Sequence, residues 1–243
     1  MTNGPVIDAL RARRSVRHFT SEAAPHELVA RVIEEAAWAP SGGDDQPWGV
    51  VALQPDSARR FRDRYEMRAW YALAPKMASI VERHAGPAPA EAIIDRVLEK
   101  LTSEARSMGT PWLLFVHGPA RVENDTTRLA AFRAALESRV PKGELPTQDE
   151  IATMLGPVHE GVIAASIAGF VYALALAAHA HGLATCIQHN WLVWRDAIAR
   201  ELGLASDRTV AAGLLLGFGD GQDPVVKRAV ERATRRPVDV RYR

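Results

Sequence analysis

The sequence has little that would tie the protein to an oxidising compartment, a polyanion or a bilayer. Cys186 is the single cysteine among 243 residues, so no disulfide can form within the chain. The 30 basic and 29 acidic residues give a formal net charge of +1, too small to draw the whole molecule to nucleic acid or a membrane. The sequence contains no run of about 18 purely apolar residues, which argues against a membrane span. Asp8 and the following arginines do not resemble a signal peptide. We therefore expect a soluble, cytoplasmic protein.

The sequence also lacks the motifs that mark several common kinds of metal or catalytic site. There is no Cys-x-x-Cys or His-Glu-x-x-His motif, and His179 and His181 would point about 200° apart on a helix, so no metal site is indicated. No Gly-x-Ser-x-Gly elbow or Walker motif is present either. Apolar residues make up 47% and charged residues 24%, which is typical of a globular chain, and the length suits one large domain.

Hydrophobic periodicity and proline positions predict alternating helices and strands. The predicted helices are a short one after Pro5, one between Pro25 and Pro40, a charged helical stretch over 55–106 broken at 86–89, an Ala-rich one over 161–181, and one over 193–202. The predicted strands cover 48–53, 112–116, 183–187 and 209–216. The pattern over 118–156 is weak, and this stretch is either an excursion over a site or an ordinary surface insertion. The alternation favours an α+β or α/β class.

Four arginines lie within seven residues near the N-terminus, namely Arg11, Arg13, Arg14 and Arg17, with Ser15 among them. Planar guanidinium groups suit the two-pronged binding of phosphate, and the serine adds a hydroxyl. A solvated basic turn would give the same pattern. A nucleic-acid patch is the lesser alternative, since the total charge is near zero and no aromatic residues are interleaved.

Three further segments are weaker signals. The stretch 39–48 carries Pro40, a polar loop and then Pro47-Trp48, which could present backbone and amide groups to a ligand or simply connect a helix to a strand. Cys186 has no accompanying base, which favours a packing role over a nucleophile. The glycines over 217–221 have the wrong spacing for a dinucleotide fingerprint and indicate a turn.

In this order the segments resemble the FMN-dependent nitroreductase family. The resemblance rests on the sequences Arg-Arg-Ser-Val-Arg-His-Phe at 13–19, Ala-Pro-Ser at 39–41 with Gln-Pro-Trp at 46–48, Gly-Leu-Ala-Thr-Cys at 182–186, Gly-Phe-Gly at 217–219 and Arg-Arg-Pro at 235–237. It spans nearly the whole chain and explains residues 55–156 least.

The resemblance implies one α+β domain over 1–243, with a central mixed β-sheet surrounded by helices, an intertwined homodimer, and a lid or insertion somewhere within 55–156. It implies FMN at the dimer interface, held at its phosphate and the polar edge of its ring by Arg13, Ser15 and Arg17 with help from Arg14. Arg235, with or without Arg236, would return to the phosphate. The remaining implied cofactor-binding residues are Pro40, Ser41, Asp44 and Gln46 from the second subunit, and Cys186, Ile187, Gln188 and His189 beside the ring.

One position departs from the family pattern, which usually has Asn where this chain has Asp44. An ionised carboxylate cannot donate a hydrogen bond and would repel an anionic reduced flavin. Asp44 therefore points elsewhere, is protonated, or belongs to a differently tuned site.

The activity implied by the resemblance is a ping-pong reaction in which NADPH or NADH reduces the flavin and a nitroaromatic, quinone or similar aromatic acceptor re-oxidises it. No catalytic side chain is required because the flavin carries the chemistry. Reductive dehalogenation, breakdown of the flavin itself, and flavin binding without turnover remain alternatives on the same scaffold. Segments 61–70 and 121–146 are the candidates for the lid that would distinguish them, although a plain solvated helix explains the same residues and is the favoured interpretation.

Overall fold

A computed structural model describes residues 4–86, 88–100, 107–120, 133–134, 137, 139–141, 147–223 and 239–240. The helices are α1 (Pro5–Ala12), α2 (His26–Ala36), α3 (Pro55–Ala72), α4 (Ala74–Ala85), α5 (Ala90–Lys100), α6 (Gln148–Ala180) and α7 (Arg195–Glu201). The strands are β1 (Gly49–Leu53), β2 (Trp112–Pro119), β3 (Ala184–Gln188) and β4 (Arg208–Gly217), and short 3₁₀ turns cover Gly42–Asp44 and Asn190–Trp194.

The described strands form one sheet in the order β1-β2-β4-β3. Every neighbouring pair is antiparallel, with Val51 opposite Phe115, Leu114 opposite Leu214 and Cys186 opposite Leu215. The fold is therefore α+β, as expected. The parallel pairing expected of a mixed sheet is confined, among these residues, to single-residue bridges such as that between Ser15 and Thr185.

Helices cover both faces of the sheet, and the alternation of β2 shows why. Trp112, Leu114 and Val116 face a cluster with α2 and α6, whereas Leu113 and Phe115 face a second cluster with α3 and the 190–194 turn. Because successive side chains of a strand point to opposite faces, a central strand buried on both sides is a continuous apolar run. β2 is such a strand.

Several predicted boundaries shift in the structure. The Ala-rich helix begins at Gln148 instead of residue 161, with Pro157 inside it, because a proline removes one backbone donor without ending a helix that is packed elsewhere. The predicted helix over 193–202 is a 3₁₀ turn followed by α7. The charged stretch after Pro55 divides into α3, α4 and α5.

The long helix also bears on the expected absence of a membrane span. Pro157–Ala180 is long and apolar enough to cross a bilayer, with a mean hydropathy of 2.1. This is weak support for a span, because the core helix of a soluble protein meets the same criterion. Here the helix packs on α2 and on the sheet through Phe170 and Leu174, which are almost fully buried.

Candidate functional site

The arginine segment that follows α1 lies along the outer edge of β3. Ser15 forms a parallel bridge with Thr185, and the backbone N–H of Val16 donates to the Thr185 carbonyl at 2.9 Å. The bridge places residues 13–17 next to Cys186 and its neighbours. The structure thus brings together two of the segments that the sequence singled out separately.

A buried carboxylate that the sequence interpretation missed holds this segment in place. Oδ2 of Asp223 accepts hydrogen bonds from the backbone N–H groups of Arg17 at 2.7 Å and His18 at 3.0 Å. Asp223 is fully buried. It follows the predicted glycine turn, and a turn aspartate carries no sequence signal for a contact that spans 206 positions.

Two arginines of the segment have donors that the described residues leave unused. The Nε atoms of Arg13 and Arg14 are buried and have no hydrogen-bond partner among them. The Arg13 guanidinium lies 5.8 Å from the centre of the Tyr172 ring, and Nη1 of Arg14 donates to the carbonyls of Arg11 and Arg13. A buried donor without an acceptor costs about 1–3 kcal/mol, which an anion bound at this point would recover. The residues present therefore fit a phosphate group.

β3 presents backbone groups at the same edge. The N–H and C=O of one residue in an antiparallel strand point to the same side, and the side alternates along the chain. Since the Thr185 carbonyl faces outward to Val16, the N–H and C=O of Ile187 also face outward. These groups lie at the same edge of β3 as the arginine segment.

The side chains at the end of β3 have different surroundings. Those of Cys186 and Gln188 are buried, and the Gln188 amide is bonded inside the protein. By the same alternation the backbone N–H and C=O of Gln188 point to β4, where Gln188 lies opposite Gly213. Ile187 is half-buried and His189 is exposed.

Burial also determines the state of Cys186. It raises the pKa of the thiol to about 11, opposed by the positive charges of Arg17 and Arg13 and reinforced by the negative charges of Glu66 and Asp223. The thiol is protonated at neutral pH, which agrees with a packing role and not a nucleophilic one.

The loop that carries Pro40, Ser41, Asp44 and Gln46 is mostly exposed and packs on α6. Its backbone N–H at Gly42 donates to Oγ of Ser166 at 3.1 Å, and Oγ of Ser41 accepts from the N–H of Gln46 at 3.0 Å. Nε2 of Gln46 donates to Oδ1 of Asp44 at 3.0 Å. No hydrogen bond between described residues joins this loop to the arginine segment. Arg235 and Arg236 lie outside the described residues.

A groove of about 550 Å³ lies at the opposite edge of the sheet, between β1, α3 and α7. Nη1 of Arg64 lies 3.0 Å from both carboxylate oxygens of Glu201, and Oη of Tyr65 donates to Glu201 at 2.6 Å. That hydrogen bond is the main reason why the pKa of Tyr65 is raised, with desolvation adding to it. Because Arg64 is already paired with Glu201, less of its charge is available to an anion in this groove.

The fold and site define a class in which helices flank an antiparallel sheet and cationic side chains gather at its β3 edge. Comparison with known proteins identifies that class. The family model described as "Nitroreductase family" matches residues 10–219, and the chain belongs to this family.

Relatives named for an enzymatic activity match either most of the chain at low identity or a short part of it at higher identity. The 4-nitrobenzoate reductase of Nocardioides sp. (strain LMS-CY) is 26% identical over 239 residues, which are 97% of this chain and 89% of that protein. The iodotyrosine deiodinase 1 of Mus musculus is 42% identical over 67 residues, which are 27% of this chain and 24% of that protein. A solved structure of a nitroreductase with bound FMN from Desulfitobacterium hafniense matches with a TM-score of 0.56 at 17% identity, covering 92% of this chain and 93% of the other. The last comparison supports the fold.

Proposed function

We propose that the protein is an FMN-dependent oxidoreductase that takes electrons from NADPH or NADH and passes them to a nitroaromatic, quinone or similar aromatic acceptor by a ping-pong mechanism in the cytoplasm. The observation that carries the proposal is the pair of buried, unsatisfied Nε atoms on Arg13 and Arg14, beside the outward-facing backbone of β3. Family membership supports it, as does the similarity to the 4-nitrobenzoate reductase of Nocardioides sp..

In this proposal each segment has a distinct task. Arg13, Ser15 and Arg17, helped by Arg14, bind the FMN phosphate and the polar edge of its ring, and Asp223 fixes the backbone from which Arg17 projects. Ile187 and its neighbours contribute backbone groups beside the ring. Arg235, with or without Arg236, is proposed from the family resemblance alone to add positive charge for the phosphate. The two-electron chemistry is supplied by the flavin, and the protein provides binding, orientation and positive charge.

The proposal includes a homodimer, because α6 is too apolar for the share of it that is buried. Only 39% of the most apolar 18-residue stretch within Pro157–Ala180 is buried in the single chain. Val158, Val162 and Tyr172 are exposed on it at spacings that fall on one helix face, and α1 beside it exposes Val6 and Ile7. An apolar surface of this kind marks a subunit interface. A second subunit seated there would bring its own loop at 40–46 towards the flavin.

The pairing of Asp44 with Gln46 favours one of the alternatives for the family's usual Asn. The carboxylate already accepts the Gln46 amide, so it is directed into its own loop. We infer that Gln46 is oriented by Asp44, which leaves its carbonyl oxygen and its second amide N–H for a ligand.

A second candidate function rests on the local similarity to iodotyrosine deiodinase 1 of Mus musculus. The candidate is reductive removal of a halogen from an aromatic ring on the same flavin. A lid within 55–156 would choose between the two reactions, and the part of it described over 61–70 belongs to α3, whose inner face is buried at Arg62, Glu66 and Ala69.

The first test is the visible absorption spectrum of the purified protein. We expect flavin bands that bleach when NADPH or NADH is added without oxygen and return when a nitroarene or quinone is supplied. Return with an iodinated phenol and release of iodide would favour the dehalogenase, and bands that neither donor bleaches would indicate a binding module. A colourless protein that does not take up added FMN would overturn both functions.

A further inference from the structure

A closed network of buried polar groups lies beneath the end of β3. The carboxylate of Glu66, on α3, is 3% exposed, and its Oε2 accepts from Nε of Arg62 at 3.2 Å. Its Oε1 accepts from the hydroxyl and the backbone N–H of Ser107 and from Nε2 of Gln188, the last at 3.3 Å. The Gln188 amide completes the network, because its Nε2 also donates to Oγ of Ser107 at 3.2 Å and its Oε1 accepts from the indole N–H of Trp191 at 2.9 Å.

This network is costly to bury and is attached to both halves of the candidate flavin site. An ion pair such as Arg62–Glu66 gains little net stability when it is removed from water, so its presence in a core suggests a role in fixing one arrangement. Gln188 is the last residue of β3. The segment at Ser107 continues to Met108, whose N–H donates to the Arg17 carbonyl at 3.0 Å and whose carbonyl accepts from Phe19.

The network therefore fixes the position of the last residues of β3 relative to the arginine segment. Ile187, whose backbone N–H and C=O face the outer strand edge, lies between Cys186 and Gln188, whose side chains are buried. Among the described residues the Cys186 thiol makes one side-chain hydrogen bond, a long one of 3.9 Å to the Ile187 carbonyl, and otherwise packs in the core. Gln188, with hydrogen bonds to three different residues, is the anchor.

We infer that Glu66, Ser107 and Gln188 are positioning residues, which hold the Ile187 backbone where its N–H stabilises the reduced form of the bound flavin. The inference rests on the proposed function. A donor that is aimed in advance at developing negative charge stabilises it, and a donor free to move does so less. Loosening Gln188 should therefore weaken the binding of reduced FMN more than that of oxidised FMN.

The test uses Gln188→Met, which keeps the approximate volume and removes all three hydrogen bonds. We expect the ratio of the FMN dissociation constants, oxidised over reduced, to fall about tenfold, which lowers the reduction potential of the bound flavin by about 30 mV for a two-electron couple. Ser107→Ala should lower the ratio in the same direction by less and serves where Gln188→Met does not fold. If the residues act as one unit, the double variant Gln188→Met with Ser107→Ala will lower the dissociation-constant ratio no further than Gln188→Met alone.

The matched control is Val32→Ala, which removes packing between α2 and the core and changes no residue of the network. It should lower stability and leave the dissociation-constant ratio unchanged. An unchanged ratio in both Gln188→Met and Ser107→Ala would overturn the inference and leave the network a purely structural one. Failure of the wild-type protein to bind FMN would instead overturn the proposed function. In that case, unaltered amide hydrogen exchange over residues 184–190 in Ser107→Ala would reject the positioning role by itself.

Discussion

The carboxylate of Asp223 connects the segment that follows β4 to the N-terminal arginine segment. We predict that Asp223→Asn lowers the free energy of unfolding by about 1–3 kcal/mol and weakens FMN binding, because two charge-assisted hydrogen bonds to Arg17 and His18 become neutral ones. Chemical denaturation and FMN titration measure the two effects. Asp220→Asn is the control, since the Asp220 carboxylate accepts, among the described residues, only the exposed N–H of Gln222. Equal losses in the two variants would contradict a special role for Asp223.

His117 gives the protein a predictable response to acid. Burial, and then the nearby charge of Arg208, lower its pKa below the ordinary value, and Nε of Arg208 donates to its Nδ1 at 3.2 Å. Above about pH 6.5 a histidine with a lowered pKa is neutral in both the folded and the unfolded protein, and it does not change the free energy of unfolding with pH. Below that pH the unfolded protein binds the proton more readily, so the free energy of unfolding falls. We predict that part of the loss of unfolding free energy between pH 8 and pH 5 is absent in His117→Gln. Parallel pH profiles of the two proteins would contradict this.

The residues that sequence reasoning missed share a physical cause. Arg62 and Glu66 have the composition of a solvated helix face, yet both are buried, because their partners at Ser107 and Gln188 come from distant parts of the chain. Asp223 is the same case. Resemblance to a family identified the segments that surround the site, whereas hydrogen bonds across 40 to more than 200 positions follow only from the tertiary structure.

Local signals were more informative about the elements. Prolines in the first turn mark the starts of α1 and α3, and Gly182, with its positive φ of 74°, follows the end of α6 as expected. The predicted start of α6 was wrong by thirteen residues, because the hydrophobic pattern over 118–156 is weak. Packing against other elements outweighs one missing hydrogen bond.

The short segment at 108–110 connects the arginine segment to the sheet through one glycine. Gly109 has φ +83°, and a Cβ on it would lie 2.1 Å from the backbone oxygen of Phe19. We predict that Gly109→Ala costs more than about 3 kcal/mol of unfolding free energy, because left-handed strain of roughly 1–2 kcal/mol adds to a clash with backbone that cannot move aside. Thermal or denaturant unfolding measures it.

The control for that variant separates strain from collision. Gly203 has φ +67° and nothing within 4 Å of its would-be Cβ, so Gly203→Ala should show the strain alone, near 1 kcal/mol. Equal costs in Gly109→Ala and Gly203→Ala would show that the segment at 108–110 shifts without resistance.

At the scale of the whole molecule, the fold leaves apolar helix surface and an unpaired strand edge in the same chain. Among the described residues, β1 has a partner strand on one side only, and open strand edges invite pairing with another chain. The exposed face of α6 adds an apolar area beside α1. Both features are consistent with one assembly in which subunits interlock, and neither is evident from composition.

The proposed dimer makes the last prediction, which uses Ala165 on the exposed face of α6. The wild-type protein should sediment at about twice its 26.6 kDa chain mass. Ala165→Glu should shift it to a monomer and abolish FMN retention, because burying an unpaired carboxylate at an apolar interface costs several kcal/mol. Ala205→Glu, at an exposed turn after α7, should leave both properties unchanged. A wild-type monomer that binds FMN tightly would show instead that one chain builds the whole site.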